Sequence, residues 1–404
     1  MKRILHSIII LFVVCLFSCN STEKQKKEVA KEPAVSIGRK VEVISPIEKR
    51  SPGISIAHDL RPAFQFQYTT SVTKKIGEFV EGPVNNAHPA TIGFENTIAA
   101  DVKENQNELP GWKVFPVMVN IIFDNDIFNN TDYYYTNGAR IELVFPAATS
   151  SPVNKVLAGL KTNDIDVSGF SLTQNIYTPV NPESTEIVYG DRPFAAYLTV
   201  GQFRESYHLK KRLQIKSALD LGVMGPMSLG EQVQSTVHEL EPSGWKYQVQ
   251  NSFLINYYVG IEKGLYSSSN LELNAVGHLN VGSLYDKLGA GLRFRVGSFL
   301  PVYRGPMTIC CDRAKKGQLQ YWFFMSGKVD FIAYDATLQG SMFNDQSPYV
   351  ISSNELNRVV YQGSVGVALY YDNLGVELEN FYLSPEFEGA HHFKYGRIKL
   401  VANF

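Results

Sequence analysis

The chain has 404 residues, with 38 Lys and Arg against 39 Asp and Glu and a formal net charge of −1, which excludes a general polyanion-binding surface and argues against a nucleic-acid partner. Four cysteines are few, and the pair outside the N-terminal segment, Cys310 and Cys311, is adjacent and lacks zinc-ligand spacing. They read as two inert loop thiols, a strained vicinal disulfide being the alternative.

Lys2 and Arg3 form a positive n-region, and the apolar run from Ile4 to Phe17 is too short and too early for a spanning helix. Residues 1–19 therefore read as a secretory signal. Leu16-Phe17-Ser18-Cys19 has the form of a lipobox, in which Cys19 becomes the acylated mature N-terminus; an ordinary cleavage site is the alternative. Residues 20–112 are rich in Lys, Glu and Ser, then in Pro, Gly and Asn, without sustained periodicity, and are expected to form a flexible periplasmic tether.

From residue 113 to 404 the pattern is alternating and aromatic-rich, with turns between segments. Ala139, Ile141, Leu143 and Phe145 alternate with Arg140 and Glu142. In Leu213–Leu221 the polar residues Gln214, Lys216 and Asp220 share one face, and Phe253, Ile255, Tyr257, Val259 and Ile261 repeat the apolar stripe. Val359, Tyr361, Val365, Val367 and Leu369 do the same, and Glu377 and Glu379 again lie opposite apolar neighbours. The last strand places Gly396, Ile398, Leu400, Ala402 and the terminal Phe404 on one side, with Tyr395, Arg397, Lys399 and Asn403 on the other. Apolar outside and charged inside is the pattern of a membrane barrel, inverted relative to a soluble one. No later segment is long and apolar enough for a membrane helix, so strands must do the spanning.

The expected fold is all-β, a transmembrane antiparallel β-barrel of about twelve strands, with the stretch Gln318–Gly340 open between one strand and two. Its lumen carries both charge signs and is expected to be paired and partly plugged. With both barrel ends periplasmic, every odd-to-even connection is extracellular, and the long connections Asp124–Tyr135, Thr178–Arg192, Gly225–Tyr247 and Gly340–Glu355 fall there.

Three polar groups gather on that rim: Asp124-Asn125-Asp126-Ile127-Phe128 with Thr131-Asp132 and Tyr135-Thr136-Asn137-Gly138; Gly190-Asp191-Arg192-Pro193-Phe194; and Gly225-Pro226 with Gln234, His238, Gly244-Trp245 and Gln248. These motifs, in this order and closed by Ser384-Pro385-Glu386-Phe387, resemble those of the outer-membrane lipid A 3′-O-deacylases over almost all of residues 117–404. The resemblance implies a twelve-stranded, calcium-dependent enzyme that hydrolyses the ester holding the 3′-linked acyloxyacyl chain of lipid A. It places the catalytic site on Asn125, Asp126, Thr136 and His238, with Asp126 and Asn125 as metal ligands. It also implies lipid A or lipopolysaccharide as partner, an active site facing the cell exterior, and a monomer. The chain departs from the pattern at Pro179–Tyr189, where Glu183 and Glu186 stand without any Lys or Arg. That leaves the phosphate state of the substrate open.

The residues fit such chemistry on their own terms. Ester hydrolysis needs a base for water and a stabiliser of the oxyanion. His238 is the sole histidine of its long loop, and a neutral imidazole near pH 7 is a suitable base. Asp126 and Asn125 offer hard oxygens suited to calcium as a Lewis acid. Strand parity puts Thr136 on the side of Arg140 and Glu142, where it would orient the water or help hold the metal. Each residue also has a plainer reading: a solvated loop His, Asx residues ending a strand in a turn, and an Asp191–Arg192 structural ion pair. Trp245 and Gln248 either pack the loop or line an acyl groove. Two other functions compete: an outer-membrane phospholipase with a Ser-His-Asn arrangement, and a non-catalytic lipopolysaccharide-binding barrel.

Overall fold

A computed structural model describes residues 117–404 except 130–132, 238–242, 305–318 and the side chains of Ile127, Val237, Ser243 and Arg304. The expected signal and tether, together with Thr131, Asp132, His238, Cys310 and Cys311, lie outside the described residues. The described strands are β1 (Met118–Asn125), β2 (Tyr134–Val144), β3 (Ile165–Thr178), β4 (Ala195–His208), β5 (Leu213–Met224) and β6 (Ser252–Ser267). They continue with β7 (Leu271–Gly282), β8 (Tyr285–Ser298), β9 (Leu319–Asp335), β10 (Val359–Tyr371), β11 (Leu374–Leu383) and β12 (Phe393–Asn403). The described helices are α1 (Gly230–Val237) and the single turn α2 (Ala336–Gln339), and neither is long and apolar enough to cross a membrane.

Each strand pairs antiparallel with its sequence neighbours, and β1 closes on β12 with Met118 opposite Asn403 and Asn125 opposite Gly396. Closure satisfies every backbone ladder and removes the edges, the condition for crossing hydrocarbon with strands. The stretch left open between one strand and two is the single long strand β9.

The alternation sorts side chains as expected. On β9, Tyr321, Phe323, Met325, Val329 and Phe331 are exposed on the outside. Inside, four ion pairs cross the lumenal face: Arg397 with Asp124 at 2.7 Å, Lys216 with Glu205 at 2.9 Å, Lys399 with Glu377 at 3.0 Å and Arg293 with Glu262 at 2.8 Å. These pairs surround a lumenal cavity of about 780 Å³. Above it, near the rim where odd strands lead to even ones, lies a layer of aromatic rings. Tyr395 packs at 4.6 Å on Phe381 and 4.8 Å on Tyr135, and the hydroxyls of Tyr177 and Tyr285 are 3.0 Å apart. A lumen of paired charges, partly plugged by rings, is what the mixed inner charges lead one to expect.

The two rims differ. The loop rim carries α1, α2 and the connection from β3 to β4. The terminal rim holds both ends of the barrel and, contrary to the expectation that the long connections share one rim, also two twenty-residue links, 145–164 and 299–318.

Candidate functional site

The motif Asp124-Asn125-Asp126 is divided three ways by the end of β1. Asp124 faces the lumen, where Arg397 grips it through Nε at 2.7 Å and Nη2 at 2.8 Å, and the Tyr135 hydroxyl donates to it at 2.9 Å. Asn125, one residue on and of opposite parity, is buried on the outer side, in register with Asn137 of β2. Asp126 opens the 3-10 turn Asp126–Asn129 and is 2 % exposed, and its Oδ2 accepts the Tyr133 backbone N–H at 2.9 Å. The turn-forming reading of Asp126 and its placement as a site residue are thus compatible. One carboxylate oxygen closes the link into β2, which fixes where the carboxylate sits.

Thr136 is not where strand parity puts it. The pairing of β2 with β3 shifts between Tyr135 and Asn137, so Thr136 is the extra residue of a β-bulge. Such a bulge re-aims the side chains on either side of it. Below it Arg140 and Glu142 face the lumen; above it the lumenal residue is Tyr135. Thr136 instead shares a hydrogen bond of 2.7 Å with Thr178. Thr178 is two residues beyond Ile176, which packs outside the barrel with Phe194, Ala196 and Trp245. Thr136 therefore belongs to the outer face, with Asn125.

Two backbone features hold this geometry. Tyr134 adopts φ of 67°, a costly conformation for a bulky residue, and it is over-determined by burial against Phe387 and Phe393 and by the His391 N–H donated to its hydroxyl. At Gly138 a Cβ would lie 1.9 Å from the Tyr135 hydroxyl, so glycine is required for Tyr135 to reach Asp124.

The loop from β5 to β6 folds down over this outer face. Gln174 donates to the Ser228 carbonyl at 2.6 Å, the Ser228 hydroxyl donates to Gly225 at 2.7 Å, and Val249 N–H donates to Phe194 at 2.9 Å. Trp245, fully buried, packs on Phe194 at 5.2 Å and belongs with Ile176 and Ala196 to a cluster on which Val233 of α1 rests. Of the two roles open to Trp245, the packing one is observed. The Gln248 Oε1 is buried without a hydrogen-bond partner among the described residues. α1 ends at Val237, the residue before His238. Trp245→Ala should remove the anchor of α1, at a local cost of about 3–5 kcal/mol, while the barrel stays closed. Hydrogen exchange should then rise sharply in 230–237 and little in β7–β10; equal protection in both would contradict this role.

The Gly190-Asp191-Arg192 motif is structural, but not as an ion pair between neighbours. Asp191 accepts the backbone N–H of Val180 at 2.7 Å and of Arg192 at 2.7 Å. Arg192 turns inward, donating to Glu386 at 2.6 Å and to Thr337 at 2.6 Å, with its guanidinium 4.3 Å over the Tyr177 ring. Burial alone would lower its pKa, but the Glu386 and Asp335 carboxylates outweigh burial and hold it above the ordinary value. Glu386 and Thr337 as partners of Arg192, and Thr178 as partner of Thr136, escape sequence reading, since no spacing rule links them.

For a hard cation, the end of β1 and the adjoining bulge offer one carboxylate, Asp126, with the amide of Asn125 and the neutral hydroxyl of Thr136. Among the described residues no three His, Cys, Asp or Glu side chains gather into a metal cluster. The donor chemistry suits calcium, with too few protein ligands to saturate its usual six to eight oxygens.

In solved structures, LpxR from Salmonella typhimurium superposes with a TM-score of 0.57 at 20 % identity, covering 71 % of this chain and 100 % of that one. The β domain of the Bordetella autotransporter BrkA (TM-score 0.36, 8 % identity, 72 % and 97 % covered) and the translocator domain of NalP from Neisseria meningitidis (0.34, 10 %, 73 % and 89 %) are more distant. No curated protein sequence matches the chain. The family model described as outer membrane protein LpxR matches residues 94–404, and the chain belongs to the LpxR family of outer-membrane β-barrel proteins.

Proposed function

We propose that the chain is a lipid A deacylase, hydrolysing the ester of the 3′-O-linked acyloxyacyl chain at the outer surface of the outer membrane. Family membership supports the reaction class. The observation that carries the assignment to this site is that buried Asn125 and Thr136 lie on the outer face of the wall, beside the turn that holds buried Asp126, and that the loop leading to His238 is anchored on the same outer face of the neighbouring strands. A site on the outer face lies on the side of the wall where a membrane-embedded substrate would be.

In this reading His238 removes a proton from water, which attacks the ester carbonyl directly, without an acyl-enzyme. Thr136, its hydroxyl held by Thr178, orients that water. Asp126 and Asn125 would hold calcium, which when bound supplies a Lewis acid for the carbonyl oxygen. The link 179–189 has no Lys or Arg, and Arg192 is committed to Glu386, so this part of the site favours lipid A without a phosphate there.

Purified protein in detergent, given lipid A with or without its phosphates, should release a free acyloxyacyl acid. Release should stop on calcium chelation and return with added calcium. Acid release that ignores chelation would remove calcium from the mechanism, and a preference for the phosphorylated form would remove the inferred selectivity.

A further inference from the structure

Outward-facing positions on β3 to β6 include a polar set that has no place against lipid. Lumenal residues on β4 are Thr199, Phe203, Glu205 and Tyr207, so Gln202, Arg204 and Ser206 point out, as do Asp166 and Ser168 of β3 and Ser217 of β5. Asp166 and Arg204 form a salt bridge of 2.6 Å, and Ser206 donates to Asp166 at 2.8 Å. A charged pair on the lipid face is destabilising by up to a few kcal/mol at mid-depth.

The β2–β3 link covers them. Residues 146–160 leave the terminal rim, run across the outside of the wall and return. On the way the carbonyl of Ala148 accepts from Gln202 at 3.0 Å, that of Leu157 from Arg204 at 3.4 Å and that of Ala158 from Ser217 at 2.7 Å. Tyr257 of β6 donates to Val156 O and accepts from Ala158 N, each at 2.8 Å. This strap consists of two 3-10 turns and irregular chain, and Thr149, Ser150 and Lys155 are exposed on it. Irregular backbone does not persist against hydrocarbon. The hydrocarbon must therefore end above the strap.

From the loop rim, the same strands are covered by α1 and its loop; α1 exposes Gln232, Ser235 and Thr236, and the turn before it exposes Met227 and Leu229. On β4 the bare wall between covered Ala196 and covered Gln202 is six residue steps, and on β3 from Gln174, bonded to Ser228, to buried Ser168 it is again six. At about 3.3 Å per residue and a tilt of about 40°, that is roughly 15 Å along the membrane normal. On β9, across the barrel, the exposed apolar stripe runs from Leu319 to Phe331, twelve steps, or roughly 30 Å by the same arithmetic. Tilting the barrel moves a belt up or down but does not lengthen its short side.

We infer that the barrel thins the bilayer along β3–β4, the sector beneath the loop of the candidate site, so that its short apolar belt is occupied by a locally compressed layer of lipid chains. Mismatch of this kind is relieved by bilayer deformation at a modest cost per ångström. If the deacylase reading holds, on which this consequence alone rests, thinning brings the acyl-ester layer of the adjacent leaflet toward Asn125, Asp126 and Thr136.

The test is electron cryo-microscopy of the full chain in phosphatidylcholine nanodiscs without lipid A, reading the headgroup-to-headgroup height around the barrel. The expected height beside β3–β4 is roughly a third to a half lower than beside β9. An even height all round would overturn the inference and leave the deacylase proposal intact. Loss of the deacylase reading would in turn leave this measurement unchanged, since it involves no turnover.

Discussion

His238→Ala is expected to lower deacylation about 10²- to 10⁴-fold, the range for loss of a positioned general base, with the barrel still closed and in the membrane. The wall is held by ladders that run from β1 to β12 and do not include the β5–β6 loop. The loop itself is held by Trp245, Val233 and the Gln174–Ser228 bond, none of which involves residue 238. A loss of activity with unchanged hydrogen exchange in 230–237 would therefore report chemistry and not folding. Activity within a factor of about ten of wild type would move the base elsewhere. Asp126→Ala has a different signature: its carboxylate also closes the turn to Tyr133, so activity and local order at 126–133 should fall together.

The second large effect is on stability. Arg192→Ala should destabilise the loop rim by about 3–5 kcal/mol, because it leaves Glu386 as a largely buried, unpaired carboxylate. It also removes the donor to Thr337 and the guanidinium over Tyr177, so the links that follow β3, β9 and β11 lose a common tie. Removing both charges, as in Arg192→Met with Glu386→Leu, should recover much of the loss, since the double change strands no ion. Arg192→Lys should fall between, having one ammonium where two separate guanidinium nitrogens now bind Glu386 and Thr337. The midpoint of urea unfolding in micelles measures all three. A single-residue loss below about 1 kcal/mol would mean that the pair is solvated and not part of the plug.

Much of this was legible in the chain because a barrel writes itself with period two. Arg140, Glu142, Lys216, Glu377 and Arg397 alternate with apolar neighbours, and each faces the lumen. The site motifs could be placed at one rim by counting strands. Parity fails at Thr136 because it is the extra residue of a bulge, invisible to a periodic reading, and the bulge re-aims the side chains around it. The partner of Arg192 is not its neighbour Asp191 but Glu386, 194 residues away, a distance that no spacing rule bridges. The strap was missed although its signal was present. Ser168, Gln202, Arg204 and Ser206 interrupt the apolar stripes of two adjacent strands, and polar outward positions on a membrane barrel call for a cover.

The most direct measurement is mass spectrometry of lipid A from cells expressing the chain or its His238→Ala variant, each confirmed as folded in the outer membrane. Loss of one acyloxyacyl unit with the wild type, absent with the variant, is the predicted result. Identical lipid A in the two, unchanged from cells without the protein, would contradict the deacylase assignment.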